Sequence, residues 1–319
     1  MNKYLFMGIF SLAVSGTLHA SEFPVTVESC GHPIIFDAPP QRAVIQDLNM
    51  SEMAFALNLQ PNIVGVTGIS GWYKSTPAFK QQQGNIPELA PKYPSLETLL
   101  AVKPDFFFAG WNYGMRPGGE VTPQTLAPFG VKTLELSESC IHVDKNRPRA
   151  SMDLLYSDML TLGKIFGKAE LAQQIIERWK AKIAALHGKI ANQPVQKVFL
   201  YDSGEDKPLT SGEYAMPTAI VEAAGGKNVM DTMKTSWATT SWETVASTQP
   251  DLIILMDYQN GGSTATKQAF LEAHPLMKLT PAVRQQRYLK LRYEELTPGP
   301  ANIEAINKLV YALYPDAFK

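Results

Sequence analysis

The sequence predicts an α/β protein of two αβ lobes with mostly parallel sheets, joined by one long interdomain helix. Three observations predict it. First, Pro94 to Phe108 and Thr240 to Ile254 align without a gap: Ser95 with Ser241, Glu97 with Glu243, Thr98 with Thr244, and Pro104-Asp105 with Pro250-Asp251. One copy in each half argues for two related lobes rather than a solenoid. Second, apolar runs of strand length alternate with short helical patterns, as in a parallel sheet covered on both faces. Third, no glycine or proline interrupts Lys168 to His187. A helix of that length spans roughly 30 Å and can act as a stiff connector, or it can be a surface helix of one lobe. The expected division is a signal segment at 1–20, an N-terminal lobe at 21–166, a linking helix at 167–192 and a C-terminal lobe at 193–319.

Each element follows from local chemistry. Lys3, the apolar run Tyr4 to Val14 and Leu18-His19-Ala20 read as a secretory signal with its cleavage site. No cysteine sits at the expected cleavage point, so the mature chain is expected to be periplasmic and soluble, without a lipid anchor. Val25 to Phe36 is expected to be an extended ribbon, Arg42 to Ile45 a buried strand, Ser51 to Leu57 a helix and Ile63 to Val66 a second strand. In both copies of the duplicated stretch the serine is a plausible helix N-cap, and a strand follows Pro-Asp. Leu126 to Phe129 reads as helix and Lys132 to Leu136 as strand. Met152, Leu155, Met159 and Leu162 recur helically up to Gly167. The second half repeats the pattern: strands at Lys197 to Leu200, Leu252 to Met256 and within Val283 to Leu291, helices at Thr218 to Ala224 and Asn302 to Leu313.

Hydrophobic residues make up 45% of the 319 residues, enough to bury a core in each lobe, and the net charge of −1 gives no reason to expect a nucleic-acid partner. Only Cys30 and Cys140 are present. In an exported chain they are expected to form one disulfide. Glu97 and Glu243 fall in the first turn of their helices, off the apolar face. There a carboxylate can simply serve the helix dipole, or it can serve a partner.

Ligands of open α/β sheets bind beyond the carboxyl ends of the strands. Those ends carry Trp72, Tyr73, Trp111, Tyr113, Arg116, Tyr201, Tyr214, Trp237, Tyr258, Arg292 and Tyr293. Aromatic rings and guanidinium groups suit a bulky, partly aromatic or anionic ligand.

The chain resembles the periplasmic substrate-binding proteins of ABC importers for ferric siderophores, haem and cobalamin. The resemblance rests on Phe23 to Val27, Phe36 to Arg42, Ile63 to Val66, Ala223 to Val229 and the two duplicated stretches, and it covers nearly all of the mature chain. It implies a ligand held between the lobes with limited hinge motion. It implies that Glu97 and Glu243 meet arginines on an inner-membrane ABC permease, and that the chain is not an enzyme and carries no cofactor. A ferric siderophore is the first expectation for the cargo, with cobalamin or haem second. Iron in a siderophore is already chelated, so no metal ligand is required of the protein, although direct tyrosine coordination stays open. Arg116 and Arg292 are expected to pair with carboxylate or catecholate oxygens, and the tryptophans to cover apolar arms. A monomer is expected.

Other classes fit less well. A free-metal carrier wants clustered histidines, whereas His32, His142, His187 and His274 are scattered. The nucleophile elbow, the HExxH pair and the phosphate and dinucleotide fingerprints are absent.

Overall fold

The computed structural model describes residues 23–72, 75–258 and 264–319. The signal segment and Tyr73 therefore lie outside the described residues. The chain opens with an antiparallel hairpin, β1 (Val25–Ser29) and β2 (His32–Phe36), which turns at Cys30 and Gly31, both with positive φ.

Next come β3 (Ala43–Gln46), α1 (Leu48–Ala56), β4 (Ile63–Thr67), α2 (Pro77–Gln83), β5 (Glu88–Ala90), α3 (Leu96–Ala101), β6 (Phe106–Trp111), β7 (Gly114–Met115), α4 (Pro123–Leu126) and β8 (Lys132–Glu135). The parallel sheet runs β5-β4-β3-β6, with β8 on the far side of β6 and β7 pairing with its end. Every residue of β3 and β6 is buried, as expected of strands covered on both faces. Helix α1 starts at Leu48, earlier than the expected Ser51, because Asp47 accepts the Leu48 amide at 2.7 Å. Ser51 instead turns its hydroxyl back to the Asp47 carbonyl at 2.8 Å.

Two helices lead across. The first, α5 (Met152–Ile165), ends where Gly167 takes φ 66°. The second, α6 (Ala169–Ile190), runs 22 residues. Its buried stripe of Ala172, Ile175, Ile176, Ile183, Leu186 and Ile190 joins one apolar core with residues of both halves.

The second half contains β9 (Lys197–Tyr201), β10 (Leu209–Ser211), α7 (Met216–Ala223), β11 (Lys227–Asn228), β12 (Trp237–Thr239), α8 (Trp242–Ser247), β13 (Leu252–Asp257), α9 (Thr264–Ala273), α10 (Pro281–Arg284), β14 (Tyr288–Arg292), α11 (Tyr293–Leu296) and α12 (Asn302–Leu313). Its parallel sheet has the order β11-β9-β13-β14, and β10 pairs with β12 antiparallel. Helix α6 packs on α5 from the first half and on α12 from the second. The protein is thus a mixed α/β structure with mostly parallel sheets and one long helix.

Candidate functional site: a tyrosine-lined cleft

Each parallel sheet reverses its strand order once, between β3 and β6 in the first lobe and between β9 and β13 in the second. Residues just beyond those four strands face one another: Asp47 after β3, Tyr113 after β6, Asp202 after β9 and Tyr258 after β13. Crevices at such switch points are where open α/β sheets bind ligands. A cavity of about 240 Å³ lies there, walled by Tyr113, Asn112 and His142 on one side and by Asp202, Trp237, Tyr258 and Tyr293 on the other.

Hydrogen bonds fix these walls. Tyr258 donates to Asp202 Oδ2 at 2.8 Å, and Tyr293 donates across the lobes to Asp47 Oδ2 at 3.1 Å. The Trp237 indole donates across the lobes to the Tyr113 hydroxyl at 3.1 Å. Tyr113 in turn points at Glu138 Oε1 at 3.4 Å, which also accepts from Ser236 at 3.2 Å. Burial first, then neighbouring carboxylates, push the Tyr113, Tyr258 and Tyr293 phenols up, so all three stay protonated donors. Burial lowers the His142 pKa, assisted by Lys145, which keeps the imidazole neutral. Asp47 holds φ 65° and ψ 160°, an uncommon conformation for a residue with a side chain.

Of the strand-end residues singled out from sequence, the structure brings Tyr113, Trp237, Tyr258 and Tyr293 together in this cavity. Trp72 and Arg116 sit on an adjoining rim around Tyr93. Trp72 meets that ring edge-on at 6.5 Å, and the Arg116 guanidinium lies over it at 5.2 Å. Tyr93 donates to the Asn112 carbonyl, which links rim and cavity.

Four expectations need correction. Trp111 is buried on the opposite face, packed with Phe107 and Leu126, and its indole donates to Glu135 at 2.6 Å. Tyr201 follows the strand alternation to the outer face of its sheet, where it packs edge-on against Trp242 at 5.2 Å. Tyr214 borders a separate hollow with Arg147, beside Cys30 and Cys140. Arg292 is no free anion receptor: its Nε donates to Glu294 at 2.5 Å and lies 3.7 Å from Glu295, both carboxylates being buried.

Sequence reasoning missed Asp47, Tyr93, Asn112, Glu138, His142 and Asp202. Asp47 and Asp202 carried the same strand-end signal as the tyrosines. The search for rings and guanidinium groups passed over them.

The duplicated stretches fold alike. Ser95 and Ser241 each accept the amide three residues on at 3.1 Å. Lys103 and Gln249 both take positive φ after the helix. Asp105 then accepts the Arg42 amide at 2.9 Å, and Asp251 the Lys197 amide at 2.8 Å, so each aspartate pins the start of its lobe's first parallel strand. Glu97 and Glu243 are exposed in the first turns of α3 and α8. The backbone amide at Glu243 and the Ser241 hydroxyl lower the Glu243 pKa.

The family described as periplasmic binding protein matches residues 44–293. The chain belongs to this family. As a periplasmic binding protein it is a substrate-binding protein and not an enzyme. It is 26% identical to a periplasmic binding protein from Veillonella parvula of known structure, with a TM-score of 0.80 over 91% of this chain and 97% of that one. It also shares its fold with an ABC-type Fe3+-hydroxamate transport system protein from Saccharomonospora viridis, at 20% identity and a TM-score of 0.76 over 92% and 99% of the two chains. An uncharacterised ABC transporter substrate-binding lipoprotein of Bacillus subtilis is 20% identical over 93% of this chain and 88% of that one.

Two further features belong to the binding-protein site. Cys30 and Cys140 form a disulfide, as the cysteine count led one to expect. It ties the β1–β2 turn to the 3-10 segment Ser137–His142, which carries Glu138 and His142. Among the described residues no three metal-ligating side chains of His, Cys, Asp or Glu cluster, and no helix is long and apolar enough to cross a membrane.

Proposed function

We propose that this periplasmic binding protein takes up a ferric siderophore between its lobes and delivers it to an inner-membrane ABC permease. The observation that carries the reading is the cleft itself, where phenols and an indole from both lobes converge at the two switch points. Neutral rings and hydroxyl donors suit an organic chelate whose metal is already coordinated. The named Fe3+-hydroxamate relative agrees with an iron chelate. A second reading, cobalamin, is favoured by the same aromatic wall. Haem is disfavoured by the Arg292 pairing, which removes one expected partner for its carboxylates.

Glu97 and Glu243 are the proposed docking groups. They project from equivalent exposed positions, one on each lobe, which suits weak, steerable, reversible attachment. The mature protein is proposed to be soluble and monomeric. The lipoprotein relative makes release by osmotic shock, without detergent, the measurement that decides on the anchor.

The cargo test is spectroscopic. Purified apoprotein is mixed in turn with ferric hydroxamates, ferric catecholates, cobalamin and haem, then desalted. A retained visible spectrum at a 1:1 ratio is expected for a ferric chelate. Retention of haem alone, or of nothing, overturns the reading.

A further inference from the structure

We infer that closing the lobes of this protein takes up protons, held by two carboxyls at the lobe interface, that of the buried Glu138 and that of the partly exposed Glu52, whose Oε2 is buried. The inference concerns regulation of the cleft proposed above and rests on that reading for its purpose, although its test needs no cargo.

The two groups lie on different flanks of the interface. Glu138 comes from the N-terminal lobe and is 2% exposed. Its carboxyl accepts the Ser236 hydroxyl of the other lobe, and the Met216 amide at the start of α7, also of the other lobe, is directed at it. Its Oε2 makes no hydrogen bond of good geometry. The remaining groups around it are the Tyr113 phenol, the Asp158 carboxyl on α5 and, lining a shared hollow, Glu28 and Arg147, whose Nε lies 3.1 Å from Asp144 while its Nη2 is buried without a hydrogen bond. On the second flank, Glu52 of α1 faces Arg292, Glu294 and Glu295 of the C-terminal lobe. Oε2 of Glu52 and Oε2 of Glu294 are both buried without a hydrogen bond. Lys308 is already committed to Glu295 at 2.6 Å. Nearby, Asn49 donates across the lobes to the Pro298 carbonyl at 2.7 Å, which fixes α1 against this region.

In both places a carboxyl of one lobe faces groups of the other. Separation of the lobes returns water to it and restores its ordinary acidity, whereas closure favours the neutral acid. Burial raises both groups to about 8 in the closed arrangement. Between the ordinary carboxyl range and about 8 the closed form therefore holds more protons than the open form. Closure strengthens as pH falls through that window and weakens as pH rises through it. Glu138 also acts as a positioning residue, since Tyr113 lies between it and Trp237 at the cavity wall.

Hydrogen-exchange mass spectrometry on the full oxidised chain tests this at pH 5.5 and 8.5, after correction for intrinsic exchange rates. Protection at 110–115, 137–142 and 234–239 is expected to fall at least tenfold at the higher pH, while the buried strands β3 and β13 keep theirs. Glu138→Gln and Glu52→Gln should each flatten part of this dependence, and the double variant nearly all of it. Equal loss in the core strands would assign the effect to global stability and overturn the inference. So would unchanged protection in the parent, or full pH dependence in the double variant. Failure of every chelate to bind bears on the cargo reading alone.

Discussion

The Trp237 indole N–H and the Tyr113 hydroxyl meet at 3.1 Å across the cleft, so one hydrogen bond joins the wall of one lobe to that of the other. Both rings also border the cavity, and cargo and closure therefore use the same pair. Trp237→Phe keeps the ring and removes the donor. It is expected to weaken retention of the bound chelate about fivefold, the equivalent of about 1 kcal/mol for one hydrogen bond. Trp237→Ala should weaken it further, by fluorescence or absorbance titration. Parent-like affinity in both variants would remove the pair from the binding site.

Arg292→Ala is expected to act on stability before it acts on binding. It strips the guanidinium from Glu294 and leaves Glu295 to Lys308. Loss of a charged hydrogen-bond partner to a buried carboxylate costs about 1–3 kcal/mol. A lower urea midpoint with near-normal chelate affinity is the expected result. Lost affinity at unchanged stability would restore Arg292 to the ligand.

Asp158 gives a pH signature of its own. It is buried on α5, where burial raises it to about 7 even though Ser137 donates to it from both its amide and its hydroxyl. The folded chain therefore keeps a proton that the unfolded chain releases near 3.8. Its contribution is full below that value and is lost as pH rises to about 7. Asp158→Asn should remove a downward contribution to the melting temperature over that interval, so that the variant's profile falls less, or rises more, than the parent's. Identical profiles in parent and variant argue against a protonated Asp158.

Removing the Cys30–Cys140 bond, by reduction or by Cys140→Ser, should cost about 2–4 kcal/mol in denaturant unfolding. It should also loosen Ser137–His142, and with it Glu138 and His142, so chelate affinity is expected to fall alongside stability. Mass spectrometry of the unreduced protein checks the bond directly, and two free thiols would contradict it.

Glu97→Lys with Glu243→Lys is expected to leave chelate affinity intact and to abolish uptake in cells that lack the native binding protein. Like charges would then face the arginines proposed on the permease. Single alanine variants should lie between. If the double reversal transports normally at matched abundance, the glutamates serve only their helix ends.

The sequence by itself determined what is local. Apolar periodicity placed the buried strands of both sheets and the longer helices α5, α6 and α12, though not α2, β5, β10, β12 or α9, and the repeated Ser-x-Glu-Thr stretch located both serine caps and both exposed glutamates. The two cysteines sufficed to give the disulfide. Only the tertiary structure decided which strand-end side chains share a space. Trp111 and Tyr113 are two residues apart, and simple alternation would put them on one face. Asn112 takes φ 63°, which breaks the alternation and sends Tyr113 into the cleft while Trp111 stays with Glu135. Arg292 reads as an open cation until the turn into α11 folds Glu294 and Glu295 back onto it. Asp47 and Glu138 acquire their roles from residues 246 and 98 positions away along the chain, Tyr293 and Ser236. Such long-range desolvation and pairing leave no local pattern, because they arise only when the two lobes close on each other.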